Sequence, residues 1–242
     1  MADWKKLGLI FKPGGKEWMV THAQNPFPEK IDGSLYKIHF SSRDKFNQAH
    51  GGFVLIDFEN PTKILETSAD PTLGLGKLGC FDDSGVMPSC IIDVSTNEKY
   101  MYYTGWTQTK KVPFLFYIGL AASKDGGVSY ERVSMAPVLG RNRNDPYMTA
   151  APWVIVEDGI WKMWYVSCTG WEGEAYSKDV KHYYHIKYSE SKDGITWDSQ
   201  GLVCIEYSED EYALARPFVL VEGGTYKMWY SYRGGLNTYR VG

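Results

Sequence analysis

The 242-residue sequence predicts an all-β chain, a β-propeller built of four-stranded antiparallel blades, and three observations carry that prediction. Four aromatic-rich segments, "YKIHFSSR" (36–43), "KYMYYTGW" (99–106), "WKMWYVSC" (161–168) and "YKMWYSYR" (226–233), align on Ile38, Met101, Met163 and Met228 at steps of 63, 62 and 65 residues. Each follows a proline-led apolar segment, and those prolines, Pro26, Pro88, Pro152 and Pro217, are spaced by 62, 64 and 65. Finally, "LFYIGLAASKDGGVSY" (115–130) and "YYHIKYSESKDGITW" (183–197) both close on Ser-Lys-Asp-Gly. Independent markers therefore keep one period.

Each element of the unit has its own reason. The first strand is the proline-led run, as in "APWVIVEDG" and "RPFVLVEGG", because a residue without an N–H is tolerated at a strand start or a bulge. "EDG" and "EGG" turn the chain into the second strand, since a tight hairpin needs residues that accept positive φ. In that second strand Trp161, Met163 and Tyr165 alternate with Lys162, Trp164 and Val166, a period of two. The third strand runs into Ser-Lys-Asp-Gly, after which Tyr130 and Trp197 occupy equivalent places, and "GLVCI" (201–205) supplies the fourth. The units span approximately 20–70, 82–140, 145–207 and 210–242, the last incomplete, within one domain over 1–242. "WKKLGLIF" (4–11) shares Trp-x-x-x-Gly-Leu with "WDSQGLVCI" (197–205), so residues 4–11 are expected as an outermost strand. Two closures stay open: a ring completed by that strand, or a truncated ring whose exposed edge pairs with another chain.

Composition narrows the partners. With 26 Lys and Arg against 29 Asp and Glu, the formal charge of −3 gives no field for nucleic acid or anionic lipid. No stretch approaches the ~20 apolar residues of a membrane helix, and the start has no cleavable leader pattern, so a cytoplasmic protein is expected. Cys80, Cys90, Cys168 and Cys204 lack ligand spacing and read as buried thiols. Aromatics make up 15% of the chain, chiefly Tyr and Trp, which suits both strands and the faces of sugars.

The repeats "YKMWYSYRG" and Ser-x-Asp-Gly-x-x-Trp resemble those of the five-bladed propeller glycosidases, a group that includes arabinanases, invertases and levanases. They are most similar to propeller proteins of bacterial surface-polysaccharide clusters. The likeness runs from Trp4 to Gly242 and implies a five-bladed type of which this chain holds about four blades. It also implies a carbohydrate substrate, and chemistry in an axial funnel where the innermost strands begin. There, carboxylates of different blades serve as acid and as base or nucleophile. Some relatives hold a structural Ca²⁺ near the axis; no Asp-x-Asp-x-Asp loop or His pair announces one here, and no cofactor is expected.

The residues before each proline-led strand are the candidates. They are His22 and Asn25 in the first unit, and Asp82 and Asp83 in the second. The third gives Arg143 and Asp145, and the fourth Glu209, Asp210, Glu211 and Arg216. Asp83 and Glu211 are the expected acid/base pair, with Asp145 as a third catalytic carboxylate. "RNDP" resembles the Arg-Asp-Pro signature of the invertases, though an Asn separates Arg143 from Asp145. His22 stands where many relatives place a catalytic aspartate. Trp106 and Trp171 follow the second strands and either stack on sugars or seal gaps between blades. Glu172 is a reserve acid, and Arg43, which aligns with Arg233, is placed at the funnel rim.

The leading expectation is a glycoside hydrolase acting on a glycan or glycoconjugate. The alternatives are a glycan-binding propeller without turnover, suggested by His22, and a protein-interaction scaffold.

Overall fold

A computed structural model describes residues 5–208, 210–235 and 238–242, with Ser199 as backbone alone. Trp4 and Glu209 lie outside the described residues. Contacts divide the chain into two compact units, Met1–Leu75 with Val86–Pro88, and Gly76–Gly85 with Ser89–Gly242. Among the described residues there is no helix, hence none long and apolar enough to cross a membrane.

The first unit holds one meander of β1 (Thr21–Asp32), β2 (Leu35–Arg43), β3 (Ala49–Asp57) and β4 (Asn60–Thr67), each antiparallel to the next. Met19, Phe40, Val54 and Ile56 form its buried core, with Trp18 and Phe11 packed against them. Residues 5–11 form no strand, unlike the outermost strand expected there. Gly8 at φ 90° and the Pro13-Gly14-Gly15 run break extended geometry, and the segment is held by Phe11 against Phe40, 5.2 Å between ring centroids.

The remaining strands follow in chain order and belong to the second unit, except for Val86–Pro88 of β5. These are β5 (Gly85–Asp93), β6 (Lys99–Gln108), β7 (Phe114–Ser123) and β8 (Glu131–Arg132), then β9 (Thr149–Glu157), β10 (Ile160–Glu172), β11 (Lys181–Ser191) and β12 (Asp198–Val203). A last meander comprises β13 (Ala213–Glu222), β14 (Thr225–Arg233) and β15 (Arg240–Val241). The alternation read along 161–166 buries both faces of β10. Met163 and Tyr165 join Tyr102, Ile118 and Trp197 on one side, while Trp164 joins Ile186, Leu214 and Val219 on the other. Burying a side chain such as Met163 stabilises the fold by about 1.5–3 kcal/mol.

The turns behave as their chemistry requires. Asp158 and Gly159 take φ 51° and 75°, and Gly223 and Gly224 take 56° and 76°, the left-handed pair of a two-residue hairpin. In both Ser-Lys-Asp-Gly turns the aspartate folds back: Asp125 accepts from the amides of Val128 and Ser129, and Asp193 from those of Ile195 and Thr196. Tyr130 and Trp197 then drop into the interior. Tyr102 Oη donates to the Gly194 carbonyl at 2.6 Å, tying β6 to the turn after β11. All four cysteines are free; Cys90 and Cys168 are buried, as expected, but Cys80 is only partly buried and Cys204 is exposed.

Candidate functional site

Two of the expected site carboxylates are closed inside the second unit. Asp145 is fully buried, and its oxygens accept from Ser167 Oγ (2.7 Å), Asn142 Nδ2 (2.9 Å), Tyr165 Oη (3.1 Å) and Lys187 Nζ (3.1 Å). Asp82 repeats the arrangement: it is fully buried, and its Oδ2 accepts from Tyr103 Oη (2.9 Å) and Arg132 Nε (2.7 Å). Tyr103 and Tyr165 are the same position of the repeat, two residues past the aligned methionines. The cation, however, arrives from different strands. Across from Tyr165 the register places Lys187, whereas across from Tyr103 it places Gly119, whose added Cβ would stand 2.2 Å from the tyrosine ring. Gly119 leaves the room that the Tyr103 ring fills, and Arg132 of β8 supplies the charge. In the first unit the equivalent pair is Met19 and Phe40, apolar on both sides, and no cation is needed.

The other expected acids keep solvent access. Asp83 is half-buried and caps its own loop, accepting from the Gly79 amide at 3.0 Å and from Ser84 Oγ at 3.0 Å. Glu211 is half-buried and accepts from the Ser208 amide at 3.0 Å. Together with Asp210, Tyr232, Gly234 and Arg240 it lines a groove of about 510 Å³. Glu172 is exposed and accepts from Tyr183 Oη. Arg143 is exposed.

Three of the four residues just before the first-strand prolines share a strained backbone. Asn25, Ala151 and Arg216 take φ 58°, 46° and 56°, and a bulge in the register accompanies each. A left-handed conformation at a non-glycine residue costs of order 1–3 kcal/mol and collects at functional positions. Asn25 turns its amide to the Met87 sulfur at 3.6 Å, and His22, itself at φ 63°, is exposed with Nδ1 2.8 Å from Thr21 Oγ1. Burial lowers the Arg216 pKa to about 10. Arg43 donates to Asn47 Oδ1 at 2.7 Å, and burial lowers its pKa as well.

The expected aromatics separate. Trp106 is buried beside Phe116 and fills the interior. Trp171 is half-exposed and belongs to a cluster at the ends of β10 and β14 and the starts of β7, β11 and β13. Its ring stands 5.5 Å from Phe114 and 5.0 Å from His182, and His182 stacks on Tyr184 at 5.3 Å. Arg233 Nη2 donates to Tyr184 Oη at 3.0 Å and lies 3.3 Å from His182 Nε2. Tyr184 and Tyr239 join their hydroxyls. Desolvation, and then the Arg233 charge, push His182 down to about 4, so its ring is neutral at pH 7. His182, Tyr184, Lys181 and Tyr239 are absent from the sequence-based candidates; the signal was the run "KHYYH" at 181–185, directly after the loop that carries Trp171.

Known proteins decide the family. The chain is 40% identical over 240 residues to the uncharacterized protein Rv1502 of Mycobacterium tuberculosis, covering 98% of this chain and 78% of that one. It belongs to the Rv1502 family. The uncharacterized protein MT1551 of the same species matches to the same extent. No protein-family model matches the chain. Among solved structures, a glycoside hydrolase superposes with a TM-score of 0.73 at 15% identity, over 99% of this chain and 73% of that one. A family-32 β-fructofuranosidase of Bombyx mori gives 0.64 at 18% identity, over 91% and 45%. The α-L-arabinanase of Cellvibrio cellulosa gives 0.58 at 10%, over 89% and 71%. The fold of this Rv1502 relative is therefore the β-propeller of the glycoside hydrolases. Among its described residues no group of three His, Cys, Asp or Glu side chains is placed to hold a metal ion.

Proposed function

We propose that the protein is carbohydrate-active and hydrolyses a glycosidic bond, with the glycan laid against the Trp171 cluster. The observation that carries this reading is the half-exposed ring of Trp171, braced by Phe114 and His182 on a fold shared with glycoside hydrolases. A braced aromatic face offers a sugar ring apolar contact at little cost in side-chain freedom. Glycosidic cleavage takes two carboxylates, one protonated and one ionised. Asp82 and Asp145 are held by Arg132 and Lys187, so the acid and base fall to the solvent-reaching pair Asp83 and Glu211.

The test is release of reducing ends from a panel of aryl glycosides and polysaccharides by the wild type, Asp83→Asn, Glu211→Gln and Trp171→Ala. The reading expects turnover by the wild type, a loss of at least about a hundredfold in kcat for the two acid variants, and a raised KM for Trp171→Ala. Full activity in Glu211→Gln removes Glu211 from the chemistry. A second reading, glycan binding without cleavage, is favoured by the closure of Asp145, which leaves the third blade without a free carboxylate at that position. It expects binding with no reducing end released by any variant.

A further inference from the structure

Five strand cations bond acids: Lys99 bonds Asp93, Arg132 bonds Asp82, Lys162 bonds Glu157, Lys187 bonds Asp145 and Lys227 bonds Glu222. Lys181 and Arg233 differ from these five. Among the described residues neither has a carboxylate within 4.0 Å, and both flank one ring: Lys181 Nζ lies 4.1 Å and Arg233 Cζ 5.3 Å from the centroid of Tyr212. Arg233 also lies 4.7 Å from the Tyr239 ring centre, and Lys181 4.8 Å from that of Tyr183. The ring faces orient the two charges without cancelling them. Glu172, which the register sets across from Lys181, instead takes its hydrogen bond from Tyr183 Oη.

The donors are also incompletely used. Arg233 spends Nη2 on Tyr184 and His182, while its buried Nε has no hydrogen-bond partner among the described residues. Two uncompensated cations set in a half-exposed aromatic cluster form a receptor for a negatively charged group, because an oxyanion supplies both the missing charge and the missing acceptors. The adjacent Trp171 face takes the uncharged ring that carries it.

We propose that Lys181 and Arg233 bind the oxyanion of an acidic sugar, so that the glycan is acidic and not neutral; this rests on the carbohydrate reading above. A uronic-acid carboxylate and a sulfate ester share that chemistry. The experiment is isothermal titration of the full chain with trigalacturonate, its methyl ester, and a sulfated galactose trisaccharide, for the wild type, Lys181→Gln, Arg233→Gln and Arg233→Lys.

Free acid or sulfated sugar should bind at least about tenfold more tightly than the methyl ester, with the preferred oxyanion identified by which of the two wins. Lys181→Gln, at an exposed position, should remove much of that preference and weaken binding of the acid far more than that of the ester. Arg233→Lys keeps the charge and loses the planar donors, so it should fall between wild type and Arg233→Gln. Equal binding of acid, sulfated sugar and ester overturns the acidic assignment and leaves the carbohydrate reading standing. An unchanged preference in Lys181→Gln and Arg233→Gln overturns it as well. Failure of every sugar to bind, ester included, removes both.

Discussion

The Tyr165 hydroxyl donates to Asp145 Oδ2 at 3.1 Å across twenty residues of chain, and one blade earlier Tyr103 does the same to Asp82 at 2.9 Å across twenty-one. Both carboxylates come from the segment that leads into an innermost strand, and both are neutralised beneath the sheet by a cation the repeat itself does not specify. The polar pair is thus a structural clasp in these two blades, with the Met19 and Phe40 pair as its apolar counterpart in the first.

Removing one member of the clasp leaves a buried charge alone. Arg132→Met should cost about 3–5 kcal/mol, since it strips the cation from an aspartate with no access to water. The triple change Arg132→Met, Asp82→Met and Tyr103→Phe copies the apolar pair of the first blade and should recover most of that loss. Urea unfolding midpoints of the two proteins check it; a triple variant no more stable than the single one contradicts the clasp.

Gly194 is held at φ 73°, and a Cβ there would stand 2.7 Å from Tyr102 Oη and 2.8 Å from Trp161. Gly126, at the same place in the preceding blade, also has φ 73° but opens on empty space. Gly126→Ala should cost about 1–2 kcal/mol from the backbone alone. Gly194→Ala should cost clearly more, because the Tyr102 bond to the turn must also break. Thermal unfolding of both variants separates the two contributions.

His182 gives stability a pH dependence. Its pKa falls from 6.5 in the unfolded chain to about 4 in the folded one, so between those values the unfolded chain binds more protons. The stability its neutral form contributes is present above pH 6.5 and is lost as pH falls from about 6.5 to about 4. His182→Gln should flatten the unfolding midpoint over that window. Asp193, with its pKa lowered to about 2 by the Thr196 and Ile195 amides, acts further down: its contribution stands above pH 3.8 and is lost as pH falls through 2. A midpoint that stays constant from pH 7 to pH 4 in the wild type contradicts the His182 assignment.

The strand order was legible because its signals are local. Alternation, a proline at each first strand, positive-φ residues in the hairpins and an aspartate that caps its own turn all act within a few residues. The fates of the carboxylates are set by cross-strand register. "RNDP" and "FDDSG" read alike as loops with free acids, and only the placement of Lys187 beside Tyr165, and of Gly119 beside Tyr103, shows that Asp145 and Asp82 are already matched. Residues 5–11 misled for a related reason: Trp-x-x-x-Gly-Leu marks a turn and its packing, and Gly8 with Gly14 and Gly15 prevents the extension a strand needs. The Trp171 cluster was half legible. Trp171 itself stood out on β10, but Lys181 and His182 of β11 and Arg233 of β14 meet it only in the folded chain.

The most direct test is a crystal structure of the protein with a bound oligosaccharide from the titrations. The account predicts a sugar ring stacked on Trp171, with its oxyanion within hydrogen-bond reach of Arg233 or Lys181. A sugar seated elsewhere, with the Trp171 face bare, would contradict it.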